Sequence, residues 1–425
     1  MLPSSARAVE LLGSAGGVVA LLAVGFLTGM DIWIVESLPN PLVFFEGVVS
    51  VVIFTAVIGI TGVIVVLDVW GDGDTEPVYD GPRVRAVVPA YRDADVMDVS
   101  VNSLLETEYK NLSIGIAVEP DDPETRRRAE EFADEHDDVD CFVNGNPGSK
   151  GTAINHVVSK TDADYYAVFD VDERVSPEFV PTAMGELTDG ADVFQGRRVP
   201  RATGAVETLA YCERLVVHAG YSFGELFSFT NCLSSSTVFT RKAFETVGGY
   251  KDKLTEDIEF AHACYRAELN VVHDRSATNT MEAPHTLRDL WGQRKRWRIG
   301  HVDVFQSRVR EALSGDFRLS DLGSVGRASA AMVGGALLLV GLSQIAVLVA
   351  QGMLWAFIAP YAVSLGYVGT VWAKDAHDGL IGLPSPSVLV MPVIYAGHGG
   401  LTVKSFLEYY LTWEGEWYQV TKTES

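Results

Sequence analysis

Tyr165-Tyr166-Ala167-Val168-Phe169-Asp170-Val171-Asp172 decides how the middle of this 425-residue chain is read. Residues 165–169 are apolar or aromatic without alternation, which predicts a short strand buried on both faces, as in a parallel sheet. The run then breaks into two carboxylates one residue apart. At the end of an extended strand such a pair can converge on one divalent cation. Hard cations prefer oxygen ligands and commonly share them with substrate phosphates. The spelling alone decides little in an acidic chain, since Asp72-Gly73-Asp74 and Asp93-Ala94-Asp95 are further triplets of the same kind. What sets Asp170 and Asp172 apart is their place directly after the apolar run.

Outward from this stretch, strand-like and helix-like patterns alternate. Residues 84–89 predict a first strand and 98–106 a helix. Residues 112–118 predict a second strand, ending at Glu119-Pro120-Asp121-Asp122. A highly charged helix over 123–135, a short strand over 140–143 and a helix over 149–160 then lead to 165–169. This order implies an α/β domain with a doubly wound, mostly parallel sheet. Ligands of such sheets bind beyond the carboxyl ends of the strands, where both acidic clusters fall. No Gly-x-Gly-x-x-Gly follows the first strand and no Gly-x4-Gly-Lys-Ser/Thr is present, which removes support for dinucleotide oxidoreductases and P-loop nucleotidases.

The two ends of the chain are lipid-like. Residues 9–30 and 42–69 are long apolar runs, and about 20 residues cross a ~30 Å hydrocarbon core. Glu10, Glu46 and Asp68 sit near run ends, from which a carboxylate reaches the interface. A cleaved signal peptide with Arg7 as its charged region is the alternative for residues 1–30, disfavoured by the longer run after it. Residues 329–350 and 354–373 form two more runs, and 386–403, with Pro392, Gly397, Gly399 and Gly400, a third that could span or re-enter. Five spans are expected, with four as the rival count. The loop 31–41 holds no Lys or Arg, whereas Arg7, Arg83 and Arg85 flank the first pair of runs. The positive-inside rule then predicts a multi-pass cell-membrane protein with that loop external and the middle block cytoplasmic. Between the block and the later runs, residues 301–315 repeat Val302, Phe305, Val309 and Leu313 at helical spacing, with Arg308, Arg310 and Glu311 elsewhere on the helix. An interfacial helix and a helix packed on the soluble core fit this equally. The expected organisation is two spans over 1–70, a linker over 71–82 and a catalytic domain over 83–300. An interfacial helix over 301–320, two or three spans over 321–410 and a tail over 411–425 complete it.

Net charge is -23, from 33 Lys and Arg against 56 Asp and Glu. Residues 71–320 hold 28 basic and 44 acidic side chains, or -16 of that total. So acidic a surface repels phosphate backbones, and no nucleic-acid partner is expected. Acids also fill featureless stretches such as 130–140, which reads as a halophile-like surface. Cys141, Cys212, Cys232 and Cys264 show no Cys-x-x-Cys spacing, which argues against zinc and for free thiols in a reducing compartment. The nine His show no metal spacing, and no Gly-x-Ser-x-Gly elbow occurs.

Three further stretches carry chemistry. Thr255-Glu256-Asp257 comes after a Gly248-Gly249 turn and opens an apolar-periodic segment. Simple capping explains it, with Thr255 as N-cap and the acids favouring the helix dipole. A carboxylate held in a cleft is also a standard general base. Gln293-Arg294-Lys295-Arg296-Trp297-Arg298 concentrates four cations in six residues of an acidic chain. It reads as a juxtamembrane lipid-contacting patch, or as an Arg that pairs with a diphosphate beside an aromatic plane. Lys150, in Gly148-Ser149-Lys150-Gly151, begins a helix and could meet an anion.

In this order and between these apolar runs, the elements resemble the membrane-embedded inverting family-2 glycosyltransferases, the group of cellulose, chitin and hyaluronan synthases and lipid-linked glycan transferases. Val88-Pro89-Ala90-Tyr91 looks like the family's first strand, with Arg92-Asp93 where the family has Asn-Glu. Asp121 and Asp122 match its nucleoside-binding acid pair, without the glycine-rich tail. Lys150-Gly151-Thr152-Ala153-Ile154-Asn155 is similar to its Gly-Lys-x-x-Ala-x-Asn stretch. Gln293, Arg296 and Trp297 fit Gln-x-x-Arg-Trp, about 36 residues after Thr-Glu-Asp. The resemblance implies a GT-A catalytic domain. Asp170 and Asp172 would hold Mg²⁺ or Mn²⁺. Pro89, Tyr91, Asp93, Asp121, Asp122, Lys150, Gln293 and Arg296 would join them on a UDP- or GDP-linked sugar donor. Asp257, with Glu256, would supply the catalytic base, and Thr255 and Trp297 would line the acceptor end. The acceptor would be a growing polysaccharide, or a polyprenyl-phosphate-linked glycan in a single addition. An inert membrane scaffold is the remaining alternative, which the presence of every catalytic acid disfavours.

Overall fold

The computed structural model describes residues 4–29, 41–71, 75–314 and 319–415. Residues 31–40 of the expected external loop, 72–74 of the linker, 315–318 and 416–425 lie outside the described residues, as does the side chain of Glu46.

Helices α1 (Ser4–Gly29) and α2 (Pro41–Trp70) open the chain. Strand β1 (Val84–Ala90), α3 (Met97–Leu105), β2 (Leu112–Val118), α4 (Pro123–Glu135), β3 (Val139–Val143), α5 (Lys150–Lys160) and β4 (Tyr165–Val168) come next. After them lie α6 (Phe179–Thr188), β5 (Val193–Pro200), α7 (Ala205–Glu225), β6 (Thr237–Thr240), α8 (Arg241–Val247), α9 (Glu256–Arg266) and β7 (Val271–Met281). The last helices are α10 (Leu287–Leu313), α11 (Leu319–Ala350), α12 (Trp355–His377) and α13 (Val393–Leu411). Two compact units result. One holds residues 1–67, 203–222 and 285–419, and the other 68–202, 223–284 and 420–425.

The α/β unit is a seven-stranded sheet in the order β3-β2-β1-β4-β6-β5-β7. β3, β2, β1 and β4 are parallel, and so are β5 and β7. β6 runs antiparallel to both its neighbours, β4 and β5, a reversal that strand periodicity does not announce. β1 is buried because it packs on both faces. Val84, Ala86, Val88 and Ala90 join one core with Met97, Leu104 and Phe132. Val87 joins the other with Ile154, Val157 and Tyr166. Alternate side chains of one strand thus feed two cores, which is why its sequence reads as a continuous apolar run.

The pairing of β5 with β7 slips between Gly196 and Arg197. Gly196 pairs with Asp274 and Arg197 with Thr278, so residues 275–277 are extra on β7. A bulge of this kind bends the strand and re-aims the side chains beyond it. Gly196 permits the bend, because a Cβ there would lie 2.2 Å from Phe179 Cε2 and 3.0 Å from the Ala277 carbonyl oxygen. Phe179 cannot yield, since it is buried edge-to-face against Phe169 and Phe194.

In the helical unit, residues 6–27 of α1, 47–70 of α2, 320–350 of α11 and α12 are long and apolar enough to cross a membrane. Their outward side chains are apolar, including Leu12, Val19, Ile53, Ile60, Val333 and Leu337. The run at 386–403 differs from the expected fifth span. Residues Pro386–Val390 form a short 3-10 turn, and α13 carries Lys404 and Glu408. Lys404 pairs with Glu10 at 2.8 Å and with Glu408 at 2.6 Å, and Lys295 with Glu408 at 2.7 Å. Helices approach through small residues, as is usual in bilayers. A Cβ at Gly25 would meet Ser343 Oγ at 1.9 Å, and one at Gly399 the Leu339 side chain at 2.7 Å.

A Gly196→Ala substitution overpacks the bend and is expected to destabilise the protein by about 1–3 kcal/mol. Thermal unfolding of the full chain in lipid checks this, and an unchanged midpoint contradicts it.

Candidate active site

The strand order reverses at β1, with β2 on one side and β4 on the other, and the crevice beyond such a switch point is where α/β sheets bind ligands. Three acid-bearing turns converge there because they come directly after three parallel neighbours, β1, β2 and β4.

After β1, Arg92 turns the chain with φ 57°. Its backbone N–H donates to Asp122, and the Asp93 N–H donates to Thr125 Oγ1 at 3.1 Å. Asp122 also caps α4, accepting from the Thr125 N–H at 3.2 Å. Burial works against its ionised form, but the bonds from Thr125 and the Arg92 backbone hold it below the usual carboxylate range. The two acids of the pair therefore differ. Asp122 is buried and engaged by the backbone, while Asp121 is exposed, with the Tyr91 hydroxyl 3.4 Å from its Oδ2. Pro89 lies within β1 and is half-buried.

After β4, the Asp170 N–H donates to Glu173 Oε2 at 3.1 Å and to Ser235 Oγ at 3.0 Å, and the Glu173 N–H returns to the Asp170 carbonyl at 3.0 Å. Glu173 is fully buried. Ser235 and Ser236 donate to its carboxylate, and Asn279 Nδ2 does so at 3.0 Å. Burial pushes the Glu173 carboxyl up, with the Arg198 guanidinium opposing. This buried acid fixes the turn on which Asp170 and Asp172 stand.

Lys150 is the first residue of α5, whose start is set by a reciprocal Ser149–Thr152 capping box. Its Nζ lies 2.5 Å from Asp170 Oδ1. On the other side of the same carboxylate, Arg198 of β5 pairs with Asp170 Oδ2. Burial pulls the Arg198 guanidinium down, but Asp170, Glu173, Asp172 and Asp257 all face it and the net shift is upward.

The segment at 250–257 is held against α5. Asn155 Nδ2 donates to the Tyr250 carbonyl at 2.7 Å, and its Oδ1 accepts from the Tyr250 N–H at 3.0 Å. Gly151 lets the backbones meet, since a Cβ there would lie 3.0 Å from the Lys251 carbonyl oxygen and 3.3 Å from Glu256 Cβ. Thr255 precedes α9 as expected, but its side chain makes no capping bond, and its buried Oγ1 has no hydrogen-bond partner among the described residues. Thr255 thus holds the N-cap position without the bond, while Glu256 and Asp257 lie in the first turn as the capping reading expects. Glu256 is buried and accepts from Ser234 Oγ at 2.7 Å. Burial and then the Asp257 carboxylate push its pKa up, with Lys150 opposing. Asp257 is half-buried and accepts from the Ile258 N–H at 2.8 Å.

Lys150, Asp170, Asp172, Glu256 and Asp257 are thus gathered, and Tyr91, Asp93, Asp121 and Asp122 are joined by their own hydrogen bonds at the ends of β1 and β2. Arg198 and Glu173 were not foreseen. Glu173 adjoins the Asp-x-Asp pair and could have been included, but Arg198 has no local signal. Ser234, Ser235 and Ser236 are buried and spent on Glu256 and Glu173.

Gln293, Arg296 and Trp297 belong to the helical unit. They stand on α10, which begins at a Thr286 cap and runs unbroken through residues 300 and 301. Gln293 accepts from Arg294, and buried Arg294 pairs with Glu213 at 2.5 Å. The Trp297 ring lies 4.1 Å from the Arg294 guanidinium and 5.3 Å from that of Arg214. His398 Nε2 is 2.6 Å from Glu213.

Among the described residues no group of three or more His, Cys, Asp or Glu side chains is placed to hold a metal ion. Asp170 and Asp172 nonetheless offer a purely carboxylate donor set. That set fits Mg²⁺ or Mn²⁺, which commonly take one or two carboxylates and complete their shell with phosphate oxygens and water.

The mixed α/β sheet, with apolar helices before and after it in the sequence, is GT-A-like in fold. Residues 86–248 match the family model described as Glycosyl transferase family 2. Over 245 residues the chain is 23% identical to a probable glycosyltransferase YdaM of Bacillus subtilis (strain 168), covering 54% of this chain and 57% of that one. Over 235 residues it is 23% identical to a poly-beta-1,6-N-acetyl-D-glucosamine synthase of Staphylococcus epidermidis, covering 52% and 55%. The chain thus spans a little over half the length of these curated relatives. Among solved structures it shares its fold with the mannosyltransferase PcManGT from Pyrobaculum calidifontis, determined with GDP-Man and Mn²⁺. That likeness has a TM-score of 0.56 at 14% identity, over 87% of this chain and 99% of the other.

The electrostatics of the site set two measurable outcomes. Asp122→Ala is expected to cost about 1–2 kcal/mol through loss of its cap, whereas Asp121→Ala leaves unfolding unchanged; equal effects in denaturant titration contradict the division. Glu256 has a raised folded pKa, so its contribution is complete at acid pH and lost as pH climbs through that value. Glu256→Gln, which keeps an acceptor for Ser234, is expected to flatten this decline in melting temperature above the ordinary carboxylate range. Parallel profiles for the two proteins contradict it.

Proposed function

We propose that the chain transfers a sugar, with inversion, from a UDP- or GDP-linked donor to a hydroxyl of a growing polysaccharide, at the cytoplasmic face of a membrane that its apolar helices cross. The observation that carries this reading is the pairing of Asp170 with both Lys150 and Arg198 at the end of β4, with the Glu256–Asp257 segment packed against Gly151 beside Lys150. A leaving-group site and a base are what a single displacement needs. The family match at 86–248 and the relatives named as a polysaccharide synthase support the class and the acceptor. The fold shared with a mannosyltransferase solved with GDP-Man and Mn²⁺ supports a metal-assisted nucleotide-sugar donor.

In this reading exposed Asp121, with Tyr91, Asp93 and Pro89, receives the nucleoside, while Asp122 holds their loop in shape. Asp170 and Asp172 would hold Mg²⁺ or Mn²⁺, whose charge neutralises a departing diphosphate. Lys150 adds positive charge to that group, a role that the family resemblance also assigns to Arg296 with Gln293. Asp257 accepts the proton of the acceptor hydroxyl as that oxygen attacks the anomeric carbon from the face opposite the leaving group. Glu256 is buried beside it, where burial and then the neighbouring Asp257 push its pKa up, and it accepts from Ser234. The family resemblance assigns Thr255 and Trp297 to the acceptor end, the Trp297 ring lying under the Arg294 guanidinium.

A second reading, single addition to a polyprenyl-phosphate-linked acceptor, is favoured by the four long apolar helices found among the described residues, a small bundle for a polymer channel. Product sizing separates the two. Full chain in lipid receives labelled sugar nucleotides and Mn²⁺, with and without a polyprenyl phosphate. Polymer formed without added acceptor supports the first reading, and one sugar on the lipid supports the second. Asp257→Asn cannot take the proton and is expected to lower kcat by about 10²–10⁴-fold, the usual worth of a general base. Turnover at the wild-type rate contradicts the assignment.

A further inference from the structure

Both oxygens of Asp170 are already engaged by cations. Lys150 Nζ stands 2.5 Å from Oδ1, and Arg198 pairs with Oδ2. We propose that Lys150 and Arg198 are resident counter-ions of Asp170 which a divalent cation must displace, so that the metal site opens only when a nucleoside diphosphate takes the displaced cations. The proposal rests on the reading of Asp170 and Asp172 as the metal and diphosphate site, and adds an order of binding to it.

The geometry favours exchange over passive pairing. A metal ion approaching Asp170 meets two positive side chains on the oxygens it needs, and like charges that close repel strongly away from bulk water. Arg198 is largely shielded from solvent, and Lys150 stands at the rim. The Arg198 side chain is 10% exposed and Lys150 24%. Arg198 is anchored from below by the sheet, just beyond the bend at Gly196. It also faces Glu173, Asp172 and Asp257, so leaving Asp170 does not strand it among apolar groups. Its buried Nε–H has no hydrogen-bond partner among the described residues, so the guanidinium keeps a donor in reserve. A diphosphate supplies the acceptors that both side chains then need. Arg meets phosphate oxygens bidentately, and Lys150 stands at the amino end of α5, where backbone N–H groups also favour an anion. Metal and diphosphate should therefore bind cooperatively, each making room for the other.

Mn²⁺ binding to the full chain in detergent or lipid nanodiscs, monitored by electron paramagnetic resonance, reads this directly. Titrations are made with Mn²⁺ alone and with saturating UDP or GDP. For wild type, one of the two nucleotides is expected to tighten Mn²⁺ binding by about tenfold or more, within the usual range of coupling between sites. In Arg198→Met and in Lys150→Met, Mn²⁺ alone is expected to bind roughly tenfold tighter than to wild type, because a competitor has gone, and the gain from nucleotide shrinks to about threefold or less. Arg198→Lys restores most of the coupling. Lys150, on the rim of the site, provides a variant whose folding does not depend on a buried ion pair. If Mn²⁺ alone binds both Met variants no better than wild type while their melting temperatures are unchanged, the exchange is refuted and the metal site stands. If wild type binds Mn²⁺ with neither nucleotide, the underlying site reading falls with it.

Discussion

One ion pair, between the buried Arg198 guanidinium and the Asp170 carboxylate at the end of β4, is the constraint around which the rest of the site is arranged. Buried acids repel one another, and burial disfavours their charged forms. Arg198 pairs with Asp170 and opposes the rise that burial gives the Glu173 carboxyl. The bend at Gly196 brings the strand that carries Arg198 past Asp170, and Glu173, held by Ser235, Ser236 and Asn279, keeps the Asp170–Asp172 turn facing it. Sheet irregularity, buried acid and buried cation are therefore one device. Each makes sense only with the other two.

Within this frame, neighbouring acids of like type take different roles from their surroundings alone. Asp122 is buried under backbone donors and shapes a loop, while Asp121 beside it is open to a ligand. Glu256 is buried and biased towards its neutral form, while Asp257 is half-buried beside it. Pairs whose environments pull their protonation apart are how a protein assigns acid, base and scaffold without changing residue type. The helical unit shows a parallel division around Gln-x-x-Arg-Trp. There Arg294 is spent on Glu213, and the guanidinium groups of Arg294 and Arg214 both lie over the Trp297 ring.

Much of this was legible in the sequence, for identifiable reasons. The unalternating apolar runs at 84–89, 112–118 and 165–169 betray strands buried on both faces, and acids placed directly after them fall at carboxyl ends by topology. What the sequence hid is non-local. The antiparallel β6 is a four-residue strand with no periodicity of its own. Arg198 reaches the site through a register slip against β7, some eighty residues away in the chain, which no window of sequence can reveal. Thr255 is spelled as a cap and makes no capping bond. The run at 386–403 looks like a span until Lys404 and Glu408, just beyond it, are seen on the same helix and ion-paired. The charged stretch at 293–298 and the amphipathic stretch after it read as separate elements, yet form one helix, because Gly300 is tolerated within it.

The central claim is that the turn at 170–172 and the carboxylate of Asp257 serve a single bound nucleotide. A cryo-electron microscopy map of the full chain in lipid with Mn²⁺ and UDP or GDP tests it most directly. The account expects metal density on Asp170 and Asp172 with the diphosphate beside it, Lys150 and Arg198 turned from Asp170 towards the phosphates, and Asp257 facing the open side of the same cavity. Nucleotide density away from the carboxyl ends of β1 and β4, or a metal held by residues other than this pair, would contradict it.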